Sequence, residues 1–144
     1  MEIDHSYIFD KVVALFLKYG IKSVTMDDIA RELGISKKTL YQCVNDKDVL
    51  VEKIIEYESA KQISIINAIK EKELNAIEEH IEVNRLVDEA LREFSPAIEF
   101  DLKKYYPMFY KKINTIKLEN IKSMVIFNIK KGKQEGLYRE DIDE

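Results

Sequence analysis

The chain has 144 residues, a formal net charge of −4, a hydrophobic share of 46% and one cysteine, Cys43. That length suits one compact unit, or a small reading head joined to a helical body. The negative total argues against a generic nucleic-acid binder, which is basic overall, and a lone thiol excludes an internal disulfide and fits a reducing cytosol. With 4 Gly and 2 Pro and no strand-like alternation, the sequence reads as all-α with long helices and few turns. Its start, MEIDHS, is acidic and has no apolar run behind a basic stretch, so it is not a signal peptide. The longest apolar run, 12–17, is far too short to span a membrane, and the expected location is cytoplasmic. The first helix is predicted from residue 4 or 6 to 19, with Phe9, Val12, Val13, Phe16 and Leu17 along one stripe and Gly20 ending it.

The stretch 24–50, VTMDDIARELGISKKTLYQCVNDKDVL, organises the rest. Thr25 stands three residues before Asp28, a capping-box start, and Ile29, Ala30 and Leu33 give a two-turn helix one apolar face. Gly34 supplies a tight connection, and Ser36 caps a second short helix over 37–44. Leu40 and Val44 of that helix face inward, which turns Lys37, Lys38, Tyr41 and Gln42 outward. Two short helices, a glycine turn and an outer face of cations, amide and phenol form a helix-turn-helix reader. The charge of this region is local: residues 1–50 hold seven Lys or Arg against eight Asp or Glu, yet Lys22, Lys37, Lys38 and Lys47 flank the two motif helices. Phosphate affinity follows that local field and not the total.

Asp46 is the better cap of the next helix, with Lys47 in its first turn. A lysine there opposes the helix dipole, a conflict relieved if a phosphate occupies the helix N-terminus. Leu50, Ile54, Tyr57, Ile65 and Ile69 sustain this long helix to about residue 70. Residues 71–101 are acidic, ten acids against three bases, with a weak break at Asn75 and a helix predicted over 78–94 carrying Ile81, Leu86, Leu91 and Phe94. Ser95-Pro96 restarts the chain as cap and first-turn proline. Tyr106-Pro107 breaks it again after a short helix, and the last long helix runs from 107 to 132 or 136, with Phe109, Ile113, Ile116, Ile121, Met124 and Phe127 as core. Residues 102–133 hold nine Lys and one acid, read as partners of the acidic segment or as a solvated face. Phe94, Phe100, Tyr105, Tyr106, Phe109, Tyr110, Met124 and Phe127 cluster around the two proline breaks and are the candidate lining of a ligand pocket. His5 and His80 have no partner at metal-ligand spacing, and no phosphate loop or nucleophile motif is present, so neither an enzyme, a metal site nor a cofactor is implied.

From Ala14 to Leu50 the chain resembles the DNA-binding domain of the tetracycline-repressor (TetR) family of bacterial regulators. The resemblance rests on the Ala14-to-Gly20 helix end, Thr25 before Ile29-Ala30, the Leu33-Gly34-Ile35-Ser36 turn, Thr39-Leu40-Tyr41, and Lys47 followed by Leu50. Cys43 and Val44 depart from the family, which usually carries an aromatic or histidine and then phenylalanine there. The resemblance implies a three-helix DNA-binding head at 1–46 and a helical body at 47–144 that binds a small molecule and dimerises. It also implies a repressor released from a palindromic double-stranded operator by an unknown effector. On that reading Lys37, Lys38 and Gln42 meet base edges, while Thr25, Ser36, Thr39, Tyr41 and Lys47 hold phosphates. Family members run on into two further helices that pair across a two-fold axis. This chain is therefore expected to lack its last helices or to dimerise differently, with Ile121, Val125 and Ile129 uncovered. A DNA-binding protein without a sensor and a helical protein–protein adaptor are the alternatives.

Overall fold

The computed structural model describes residues 5–93 and 95–143, the His5 side chain excepted; Phe94 lies outside the described residues. All regular structure in them is helical: α1 (His5–Tyr19), α2 (Met26–Leu33), α3 (Lys37–Cys43), α4 (Lys47–Lys70), α5 (Ala76–Arg92), α6 (Pro96–Tyr105) and α7 (Pro107–Gln134). The chain divides into two compact units. The first holds residues 1–61 and 95–110, and the second 62–94 and 111–144. Packing thus cuts the chain later than residue 46 and returns α6 to the head, and α4 and α7 each contribute to both units.

Helix starts follow short-range chemistry. Thr25 and Asp28 form a full capping box: the Thr25 hydroxyl accepts from the Asp28 amide, and the Asp28 carboxylate accepts from the Thr25 amide. Gly34 follows α2 at φ 66°, and its N–H reaches the Ala30 and Arg31 carbonyls. A side chain there would be strained by the backbone angle alone, since no atom lies within 4 Å of an added Cβ. The Ser36 hydroxyl caps α3 by accepting from the Thr39 amide at 3.0 Å, and Asp46 does the same for Val49 at 2.8 Å. Asn75 caps α5 in a second capping box with Glu78, so that helix begins at Ala76, two residues before its expected start.

The first unit closes on a continuous core of Ile8, Phe9, Val12 and Phe16 from α1, Ile29 and Ala30 from α2, Leu40 from α3, and Leu50, Val51 and Ile54 from α4. Ile21 and Val24 complete it from the bend before α2 and Met26 from the first turn of α2, while Leu17, expected inside, is exposed. Ile98, Leu102 and Tyr106 of α6 and its end pack against this core. A reading head made of three helices alone would leave that side open.

In the second unit, Ile69, Ala76 and Val83 are buried, and so is the Glu79 carboxylate. Ile116 and Phe127, expected as core, are instead exposed, as are Ile81 and Leu91 of α5; Ile121, offered both as core and as an uncovered residue, is exposed too. What holds α5 to α7 is a polar knot. Lys131 Nζ meets Glu79 Oε2 at 2.6 Å and donates to the Leu74 carbonyl at 2.7 Å. Asn128 donates to the Ala76 carbonyl at 2.9 Å, the Tyr138 hydroxyl donates to Asn128 Oδ1 at 2.8 Å, and Glu135 accepts the Ala76 amide at 2.7 Å. The segment after α7 folds back so that the Leu137 and Tyr138 amides both bond to the Gly132 carbonyl. The Tyr138 ring then lies where any Cβ on Gly132 would be, with ring carbons 2.1–2.6 Å from that position.

Candidate nucleic-acid interface

The helix-turn-helix face is built by α2, α3 and the first turn of α4. Its buried side is apolar (Ile29, Ala30, Leu40, Val44), so α3 can turn only its polar side outward. An open cleft of about 340 Å³ runs along this face, lined by Lys22, Val24, Thr25, Met26, Asp27, Lys37, Tyr41 and Lys47. Four of the eight expected contact residues meet there: Thr25, Lys37, Tyr41 and Lys47. Lys38 and Gln42, exposed and one turn apart on α3, lie outside the cleft lining. Ser36 and Thr39 meet each other at the start of α3, with hydroxyl oxygens 2.7 Å apart.

Several of these groups have partners that the motif did not disclose. The Lys37 ammonium pairs with the Asp27 carboxylate at 2.5 Å, and this contact raises the lysine's pKa. The Thr25 hydroxyl donates to Asp28 Oδ2 at 2.6 Å, and Asp28 is paired in turn with Arg31. Its hydrogen bonds from Thr25, and then the nearby guanidinium, hold the Asp28 carboxyl below its ordinary pKa. Lys47 Nζ donates to the Ile21 carbonyl at 2.5 Å, with the Lys22 carbonyl at 3.4 Å. Partial burial and the like charge of Lys22 lower the Lys47 pKa, against the opposing pull of Asp101 and Asp48. Lys38 has no ion-pair partner among the described residues.

The arrangement suits DNA. Cations and hydroxyls border a helix whose free face, Lys38 and Gln42, has the donors and acceptors to read base edges. Lys47 stands in the first turn of α4, whose Val49 amide is already taken by Asp46 Oδ1 at 2.8 Å. Asp27 and Asp101 are the residues the sequence pattern missed. Neither has a periodic signature, although Asp27 sits one residue from the recognised capping box.

The expected pocket residues are divided between the two units. Phe100, Tyr105, Tyr106, Phe109 and Tyr110 belong to the first, Met124 and Phe127 to the second, and Phe94 is outside the described residues. Tyr106 packs on the head core, and its half-buried phenol is pushed well above its ordinary pKa by burial first and then by the nearby Asp48 carboxylate. The Tyr110 hydroxyl donates to Glu99 at 2.7 Å. Among the described residues no cluster of three or more His, Cys, Asp or Glu is suited to a metal ion, and no helix is long and apolar enough to cross a membrane.

The geometry defines a helix-turn-helix protein. Residues 8–54, about a third of the chain, match the family of bacterial regulatory proteins named tetR. An uncharacterized HTH-type transcriptional regulator of Bacillus subtilis (strain 168), YvaF, is 35% identical over 85 residues. The match covers 58% of this chain, and the chain spans only 45% of that relative's length. Two solved structures share the fold across 99% of the chain. They are the fatty acid degradation regulator FadR from Bacillus halodurans (TM-score 0.70, 17% identity, 76% of that chain) and the ketosteroid transcriptional regulator KstR2 of Mycobacterium tuberculosis (TM-score 0.60, 19% identity, 74% of that chain). At these identities the likeness is one of fold.

Proposed function

We propose that the chain is a DNA-binding transcriptional regulator, a repressor that leaves a palindromic operator when a small molecule binds its body. The observation that carries this reading is the outward face of α3, with Lys38 and Gln42 free and Lys22, Lys37, Tyr41 and Lys47 gathered along the cleft beside it. Lys38 and Gln42 read bases, Gln42 with the donor–acceptor pair that fits adenine, and Lys37 leaves Asp27 to join them. Thr25, Ser36, Thr39, Tyr41 and Lys47 fix the register on phosphates. The match of residues 8–54 to the tetR family and a helix-turn-helix relative support the assignment.

The functional division runs with 1–46 as reader and 47–144 as sensing and pairing body, working as a homodimer in the cytoplasm. A dimer sets two α3 helices about 34–36 Å apart, one turn of duplex, and so calls for a two-fold operator. Phe100, Tyr105, Phe109 and Tyr110, all in the first unit, are the effector-facing candidates, and a bound effector favours a head arrangement that no longer matches that spacing. The test is a selection from random-sequence duplexes with the purified chain. Enrichment of a two-fold symmetric site is the expected result. No enrichment, with the protein folded, overturns the reading.

A further inference from the structure

Asp101 is a buried carboxylate for which DNA reading alone has no use. It stands in the middle of α6, 9% exposed, and its Oδ2 accepts the Lys22 backbone N–H at 2.8 Å. The same oxygen lies 3.1 Å from the point a Cβ would occupy on Gly20, so the carboxylate fills the bend that joins α1 to α2. The carbonyls of that bend, from Ile21 and Lys22, are the ones that face the Lys47 ammonium. On the other side, the Lys22 ammonium sits 4.7 Å from the centre of the Tyr105 ring, one turn along α6 from Asp101. Three links therefore run in series: α6 carboxylate, bend backbone, Lys47.

We propose that Asp101 is a positioning residue for the phosphate contact made by Lys47. The inference rests on the DNA reading above. An ammonium has three protons, and with two directed at fixed carbonyls the third has a defined direction. The bend supplies that fixture only while it is itself held, and the hydrogen bond from the Lys22 amide to Asp101 holds it. The negative charge of Asp101 acts in the opposite sense, lowering the field that Lys22 and Lys47 present to DNA. Position and charge can be separated because asparagine keeps an oxygen acceptor for the Lys22 amide and carries no charge.

The experiment measures affinity of the full chain for a mixed-sequence duplex as a function of salt, since phosphate contacts are sequence-independent. Asp101→Asn is expected to bind at least as tightly as the parent, roughly twofold tighter at low salt, with the slope of log affinity against log salt unchanged. Asp101→Ala is expected to bind more weakly and to lose about one unit of slope, the mark of one lost phosphate contact. In a Lys47→Ala background, Asp101→Ala should then cost almost nothing further, because the group it positions is gone. A residue with a merely structural role would not show this dependence on Lys47. If Asp101→Ala is not fully folded by circular dichroism, Asp101→Glu replaces it, keeping the charge and displacing the carboxylate, and the slope must still fall. Equal affinities and slopes for the Asn and Ala variants overturn the proposal, as does an undiminished effect of Asp101→Ala (or of Asp101→Glu in its place) without Lys47. Should Lys38→Ala and Lys47→Ala also leave binding untouched, the DNA reading itself fails, which is a separate outcome.

Discussion

Lys47 and Lys38 are both lysines near the same cleft, and their surroundings give them different work. Lys47 is half-buried and tethered to backbone carbonyls, which suits a fixed contact with a phosphate that every sequence offers. Lys47→Ala is therefore expected to weaken binding to all duplexes about equally and to flatten the salt dependence by about one unit, measured by titration over a range of salt. Lys38 is free of ion pairs and projects from α3 beside Gln42. Lys38→Ala is expected to cost about ten- to hundredfold on the preferred site and much less on other sequences, relaxing preference at one position. Equal losses on preferred and random duplexes would show that Lys38 meets phosphate only. At this scale the sequence was informative where partners are three or four residues apart, as in the Thr25–Asp28 box and the Ser36 cap. It was silent on the Lys37–Asp27 pair and on Lys22–Asp101, because partners 10 and 79 residues apart leave no local pattern.

The elements repeat that lesson with a physical cause for each miss. Every helix has its expected order, and the breaks at Ser95-Pro96 and Tyr106-Pro107 stand where proline chemistry puts them. The inward side of α5 does not follow hydropathy. Its buried positions are Ala76, Glu79 and Val83, at helical spacing but with an acid in the middle, and no apolar stripe can announce a buried glutamate. Glu79 is tolerated there because the Lys131 ammonium reaches it. Removing the lysine leaves the carboxylate buried without its countercharge. Lys131→Met, which keeps the stem, is expected to destabilise the second unit by roughly 2 kcal/mol, less than for a wholly buried pair since the lysine reaches solvent. Thermal or urea unfolding followed by circular dichroism measures this. The contact with Glu79 raises the Lys131 pKa. A raised lysine pKa means that the pair's contribution is complete below the unfolded-state value, about 10.4, and is lost only as pH rises through the folded value. Unfolding midpoints of the parent and of Lys131→Met should thus converge in strong alkali and nowhere near neutrality.

At the scale of the molecule, the second unit is held by polar bonds at one end of α5 and α7 and leaves large apolar side chains on the surface. Of the three residues expected to be uncovered, Ile121 and Val125 are 43% and 46% exposed while Ile129 is half-buried; Ile116, Leu118 and Phe127 of α7 are exposed as well, with Ile81 and Leu91 on α5. So much exposed apolar surface is unusual for a monomer in water and suits a second copy of the chain. Light scattering at micromolar concentration is expected to give a dimer, and Val125→Lys to shift it toward monomer while weakening operator binding more than binding to an isolated half-site. A parent that stays monomeric and binds a palindrome no more tightly than a half-site would rule out pairing. Periodicity placed these residues correctly on helices but could not say which apolar faces lack a covering helix, since that depends on how many elements surround each one.

Gly132 and Tyr138 carry a consequence of a different kind. The ring fills the space a side chain at 132 would need, and its hydroxyl ends on Asn128. The two positions therefore share one volume and are free to change only together. Among related sequences, a larger residue at 132 should be accompanied by a smaller one at 138, and an intact tyrosine by glycine. A collection in which large residues at 132 freely accompany tyrosine at 138 would show that inheritance does not read this contact as a unit.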